Sequence, residues 1–281
     1  MIDVVRILRE TFVARAEHHP TLGSTNDRAA QCAAQGVKEL PLLIVVDEQT
    51  AGRGRGANRW WTGRGALAMS LLVDVETVAT ERNCSPLAAL AAAVAVADAV
   101  APLLPNHTVG LNWPNDVMAC EKKVSGTFCA KRPMGQSGKR FLTPFSRRKL
   151  AGILIEVLTD RRHVIGIGLN ANNTLADAPA ELQSTAGTIR DLSGKTHDRT
   201  DILVDLLKRL EQAFSELRQE PANIAARADA LCLQRGRTLT LQLGDRRATG
   251  RCRGIAHDGA LLLETSVGVE AFYSGCVNDS I

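Results

Sequence analysis

The sequence predicts an α+β protein whose C-terminal end is a small all-β unit. Three observations predict it. Apolar runs of strand length, such as LLIVVD at 42–47, alternate with segments of helical period. A glycine- and arginine-rich loop at 49–66 follows one of those strands. After Gln234 the pattern changes to short strands punctuated by Gly244-Asp245 and Asp258-Gly259, both good turn dipeptides.

Taken in order, residues 2–16 read as a short amphipathic helix. Ser24 or Thr25 is placed to cap a second helix that runs to about Ala34, with Gly36 as its stop. Strands are expected at 42–47 and 67–73, with an Ala-rich helix after the second. Pro114 ends a further strand at 108–113, and two more follow at 152–158 and 164–169. Leu203, Leu206, Leu207, Leu210 and Phe214 line one face of a helix over 200–218. The β unit contributes strands at 237–243, 250–254, 260–264 and 269–273. These suggest domains 1–234 and 235–281, the second too small to fold securely unless it packs on the first. Residues 121–148 carry eight Lys or Arg with no periodicity, an irregular basic insertion.

The chain has 281 residues and is 45% hydrophobic and 23% charged, an ordinary globular composition. A net charge of +4 suits anionic ligands but is too weak to argue for nucleic acid. The seven cysteines are scattered and odd in number, without C-x-x-C, and no H-E-x-x-H occurs, so no metal site is expected. Reduced thiols in a cytoplasmic protein are the plain reading. The first residues lack the basic, apolar and cleavage-site pattern of a secretory leader, so secretion is not expected. The most apolar window, about 86–104, is Ala-rich, holds Asp98 and is broken by Pro102, so it reads as a buried helix and not a membrane span.

The loop at 49–66 combines five glycines with Arg53, Arg55, Arg59 and Arg64. Glycine lets backbone N–H groups approach an anion, and guanidinium forks neutralise it. The P-loop pattern G-x-x-x-x-G-K-[ST] is absent, and a solvated basic loop remains the alternative. Trp60 and Trp61 either stack on a flat base or pack as core. Trp113-Pro114-Asn115-Asp116 is a turn, or a ligand site at a strand's carboxyl end. Lys149 flanks the strand LAGILIE, and Asn170 and Asn172 follow GIGL. No serine or cysteine has a nucleophile-elbow context, which favours catalysis by positioning and charge neutralisation.

STN at 24–26, QTAGRGRGANRW at 49–60, WPNDV at 113–117, KLAGILIE at 149–156 and GIGLNAN at 166–172 occur in one order. With RGIAHDGALLLE at 253–264, that order resembles the biotin–protein ligase family from about residue 15 onward. The resemblance implies a mixed-sheet catalytic domain of the biotin/lipoate ligase type and a small C-terminal SH3-like β-barrel. It implies that ATP and biotin, with Mg2+, form biotinyl-5′-AMP, and that the acyl group then passes to a lysine of a biotin carboxyl carrier domain. Ser24, Thr25, Asn26, Gln49, Arg53, Gly54, Arg55 and Lys149 are the implied biotin-binding residues. Trp60, Asn115 and Asn170 are the implied adenylate contacts, and Arg53, Arg55, Lys149 and Asp116 the implied catalytic set.

The sequence departs from the family pattern at Asn112, where a lysine is usual, and at Ala57 and Asn58, where Gly-Arg is usual. Lys122 or Lys123 could supply the missing cation. KVSG at 123–126 echoes KLAG, yet only Lys149 leads into GILIE, so it is the expected pocket lysine. Too few residues precede STN for the DNA-binding module of some members, so no nucleic-acid partner is expected, nor a membrane. A homodimer is compatible with the family. Two other readings are a lipoate or octanoate transferase of the same fold, and a degenerate biotin-binding protein without activity.

Overall fold

The computed structural model describes residues 2–78, 86–122 and 147–279. Helix α1 (Val4–Glu10) starts at Asp3, whose carboxylate accepts the Arg6 backbone N–H at 2.9 Å. The helix expected over 2–16 is therefore shorter, and β1 (Arg15–Leu22) follows it. β1 is the edge of its sheet and half exposed, so its sequence RAEHHPTL carries no apolar alternation to read. Pro20, lacking an N–H, is tolerated in an edge strand.

Helix α2 (Thr25–Ala34) leads to β2 (Leu42–Gln49), which pairs parallel to β1. β3 (Leu67–Val73), helices α3 (Val75–Val78) and α4 (Pro86–Val100), and the hairpin β4 (His107–Asn112) and β5 (Asp116–Glu121) come next. β6 (Arg148–Val157) and β7 (His163–Leu169) complete a seven-stranded mixed sheet in the order β1-β2-β3-β7-β6-β5-β4, antiparallel except at β1-β2. β5 was not expected, because Trp113-Pro114-Asn115 turns directly from one strand into the next. The basic insertion largely falls outside the described residues; its ends join the paired strands β5 and β6.

Helices α5 (Ala180–Thr185), α6 (Ile189–Ser193), α7 (Arg199–Gln219) and α8 (Pro221–Ala230) follow. Asp198 caps α7 by accepting from Thr200 N at 2.7 Å, and the leucine face predicted for this helix is buried. Among the described residues one helix, Pro86–Leu103, is long and apolar enough to cross a membrane. Two-thirds of it is buried inside the protein, where α4 packs on α7, α8 and the sheet.

The C-terminal strands β8 (Thr238–Leu243), β9 (Arg246–Ile255), β10 (Leu261–Thr265), β11 (Gly268–Phe272) and β12 (Cys276–Asp279) form an antiparallel sheet ordered β11-β10-β9-β8-β12. β9 begins earlier than expected because Arg247, Thr249 and Arg251 alternate on its solvent face, leaving few apolar markers. Leu239, Leu241, Leu261 and Leu263 belong to the same continuous core as the large sheet, which relieves the size problem of a unit this small. The linker residues 231–233 also extend β4: Leu111 N donates to Leu231 O at 2.8 Å and Leu233 N to Leu111 O at 3.0 Å.

Candidate active site

A cavity of about 380 Å³ opens over β6 and β7, walled by the β1–α2 turn, the arginine loop, the β4–β5 turn and residues 275–277 of the C-terminal sheet. One wall is backed by a hydroxyl–amide network. Ser24 stands at the N-cap position of α2 but makes no capping bond; its side chain lines the cavity. Gln49 Oε1 accepts from Thr25 N at 2.9 Å and Gln49 Nε2 donates to Thr62 Oγ1 at 3.1 Å. Ser70 Oγ lies 2.7 Å from Thr25 Oγ1 and 2.6 Å from Asn26 Oδ1, so its single proton serves one of them at a time.

Glycines make the floor. A Cβ on Gly166 would stand 2.2 Å from Asn26 Oδ1. Gly152 and Gly168 face each other across β6 and β7. A Cβ on Gly168 would meet the Trp60 indole at 2.2 Å, and one on Gly152 would meet it at 3.1 Å. The motifs GILIE and GIGL thus owe their glycines to the side chains that lie on them. Trp60 lines the cavity while its indole N–H is buried without a partner. Trp61 packs instead against Gly63.

The loop itself closes as a tight hairpin. Gly54 N donates to Asn58 O at 2.8 Å, Trp60 N to Gly52 O at 3.0 Å, and Gly56 turns the chain with φ +60°. Ala57 and Asn58 are accommodated in that turn. Arg53 is bidentate to Glu156 at 2.8 and 2.6 Å and also reaches Asp27 at 2.8 Å. Arg55 is less committed, with contacts of 3.4 Å to Asn115 Oδ1 and to Gly275 O. Arg53 is therefore already neutralised, and Arg55 is the loop guanidinium better able to receive an anion.

Lys149 Nζ sits 2.7 Å from Asp116 Oδ1 and 5.7 Å from the Trp60 ring centre. Asn115 is pinned to β6: its side chain donates to Ile153 O at 2.7 Å and its carbonyl accepts from Ile153 N at 2.9 Å. Asn170 stands apart from its expected companions. It is 4% exposed and outside the cavity, accepting from Asn173 and bonding the backbone at Lys149 and Leu150, so it braces the strand behind the lysine. Lys122 turns away to Pro105 O, and Lys123 lies outside the described residues. The cation beside Asn112 is Arg147, which also donates to Leu233 O.

Sequence reasoning missed Glu156, Asp27, Ser70, Thr62 and residues 275–277. A carboxylate ending an apolar strand was a usable signal for Glu156. Asp27 directly follows the STN motif on α2 and Thr62 lies within the arginine loop, so position marked both; Ser70 joins through the pairing of β3 with β2, and residues 275–277 arrive with the second sheet.

Residues 20–142 match the Biotin/lipoate A/B protein ligase family, and residues 236–277 match the Biotin protein ligase C terminal domain. The chain is 33% identical over 245 residues to the biotin–[acetyl-CoA-carboxylase] ligase of Mycobacterium tuberculosis, covering 86% of this chain and 80% of that one. It is 28% identical over 268 residues to the bifunctional ligase/repressor BirA of Bacillus subtilis, covering 92% and 71%. Its fold is similar to that of the Aquifex aeolicus biotin protein ligase solved with biotin and ATP, with a TM-score of 0.75 at 24% identity over 95% of this chain and 99% of that one. The motif order, the mixed sheet and this relative of one-third identity together show that the chain belongs to the biotin protein ligases of the biotin/lipoate A/B protein ligase family.

Proposed function

We propose that this protein activates biotin with ATP to biotinyl-5′-AMP and transfers the acyl group to a lysine of a biotin carboxyl carrier domain, acting in the cytoplasm. The carrying observation is one cavity that joins a hydroxyl–amide network to the indole of Trp60 and to cations that include Arg55 and Lys149. A ureido ring offers N–H donors and a carbonyl acceptor, which suits Ser24, Thr25, Asn26 and Gln49. A carboxylate attacking the α-phosphorus brings two anions together, and Arg55 and Lys149 are set to offset that repulsion where charge develops. Trp60 offers an aromatic surface for adenine.

In the second step the carrier amine attacks the acyl carbonyl and AMP leaves. Asp116, beside Lys149, orients the ammonium and is the carboxylate available to take up a proton there. Arg53, held by Glu156 and Asp27, shapes the biotin end of the cavity, and Asn170 supports Lys149 from behind. Among the described residues no group of three or more His, Cys, Asp or Glu is arranged to hold a metal ion. A magnesium ion brought by ATP would be held mainly by phosphate oxygens and water, where it would offset phosphate charge.

The test is incubation with ATP, radiolabelled biotin and an apo carrier domain. Labelled carrier is expected. Absence of both labelled carrier and adenylate rejects the reading, and label from lipoate in place of biotin moves the substrate assignment within the family.

A further inference from the structure

The tryptophan of the Trp113-Pro114-Asn115-Asp116 turn is joined to the C-terminal sheet. It is 1% exposed, and its indole N–H donates to Gly259 O, in the β9–β10 turn, at 3.0 Å. Its backbone N–H donates to Gln234 Oε1 at 2.8 Å, from a glutamine that is fully buried where the linker enters the small sheet. One bond reaches the β9–β10 turn of the small sheet and the other the linker that leads into it, and the residues that line the cavity with amide and charge, Asn115 and Asp116, follow after Pro114.

The β9–β10 turn is itself held firmly. Ala256 N donates to Ala260 O at 2.8 Å and Gly259 N to Ala256 O at 2.9 Å. Ala260 N donates to Asp258 Oδ1 at 3.2 Å, and the Tyr273 hydroxyl donates to Asp258 Oδ2 at 2.7 Å. Gly259 has φ +87°, and a Cβ there would press on Leu87 N at 3.1 Å, so the turn also fits closely against the start of α4. A continuous run of contacts therefore leads from Tyr273 through Asp258, Gly259 and Trp113 to Asn115 and Asp116.

We propose that Trp113 is a positioning residue through which the C-terminal sheet sets the placement of Asn115 and Asp116 in the active cavity. This rests on the ligase reading given above. The physical ground is that a reaction of two anions tolerates little misplacement of its fixed charges: a shift of about 1 Å can cost on the order of 100-fold in rate. Removing the indole N–H leaves Gly259 O buried without its donor and frees the turn to drift. Asp116 then holds Lys149 less well, while the hydroxyl–amide wall, built on α2, β2 and β3, keeps its shape.

The test compares wild type, Trp113→Phe and Tyr273→Phe in biotin-dependent pyrophosphate exchange with ATP. Each is measured well below its own melting midpoint. Trp113→Phe keeps an aromatic ring and removes the donor; its kcat is expected to fall about 10-fold or more, with the KM for biotin within about twofold. Tyr273 is exposed and borders a pocket that adjoins the cavity at Arg55 and Asn115; Tyr273→Phe keeps the ring there and removes only the hydroxyl, so it should fold as wild type does and lower kcat about two- to fivefold by loosening the Asp258 turn. A folded Trp113→Phe with wild-type kcat overturns the proposal, and so does a loss expressed in the KM for biotin. Where Trp113→Phe does not fold, a wild-type kcat in Tyr273→Phe overturns it. Absence of exchange in the wild type is a failure of the ligase reading itself and is recognised as such before either variant is compared.

Discussion

Lys149 Nζ and Asp116 Oδ1 lie 2.7 Å apart, joining a lysine on β6 to the aspartate that opens β5. The Trp60 ring flanks the same ammonium. Three neighbours of different kinds, carboxylate, indole and the Gly152 floor, thus fix one cation inside the cavity.

Lys149→Ala should reduce biotinyl-adenylate formation by about 100- to 1,000-fold, the loss typical of removing one preorganised charge from a transition state. Lys123→Ala should leave it near wild type. Quenched-flow measurement of adenylate with radiolabelled biotin checks both, and reversed effects would show that KVSG supplies the working lysine.

The glycine floor can be probed one position at a time. Gly166→Ala drives a methyl into Asn26, whereas Gly168→Ala drives one into Trp60. Each overpacking should cost about 1–3 kcal/mol locally. The first should raise chiefly the KM for biotin and the second chiefly the KM for ATP, by about 10-fold each. Equal effects of both substitutions on both substrates would contradict the division of the cavity into a hydroxyl–amide end and an indole end.

His163 gives the fold an acid sensitivity. It is 2% exposed, between Val73 and Val157 in neighbouring strands, and burial holds its pKa below the ordinary imidazole value. Protonation then favours the unfolded chain, which binds its proton near pH 6.5. Its stability contribution is fully present above that pH and is lost as pH falls through the depressed folded value, by at most about 1.4 kcal/mol per pH unit. Denaturant titrations from pH 7 to 5 should show a shallower decline in His163→Gln. Part of the slope should survive, because burial depresses His197 in the same direction. An unchanged slope would falsify the assignment.

Most of the large sheet was legible because its strands are buried on both faces, so β2, β3 and β7 read as uninterrupted apolar runs. Edge strand β1 and the solvent-faced β9 were harder for the opposite reason: their side chains meet water and carry no periodic apolar mark. The C-terminal turns at Gly244 and Gly259 were readable because both glycines hold positive φ, a local requirement stated by a local residue type.

By itself, the sequence determined most of the alternation of elements, the family and part of the set of side chains that gather in the cavity, while Glu156, Ser70 and residues 275–277 went unmarked. What it determined is written in local spacing and residue type. Only the tertiary structure decided how those side chains are engaged: Arg53 neutralised by Glu156 and Asp27, Arg55 left with weak contacts, Lys149 against Asp116, and Asn170 behind the site. It also joined Trp113 to the C-terminal sheet, through the bond from its indole N–H to Gly259 O. Charge pairing and burial depend on distances between residues far apart in the chain, and only strand register and packing set those distances.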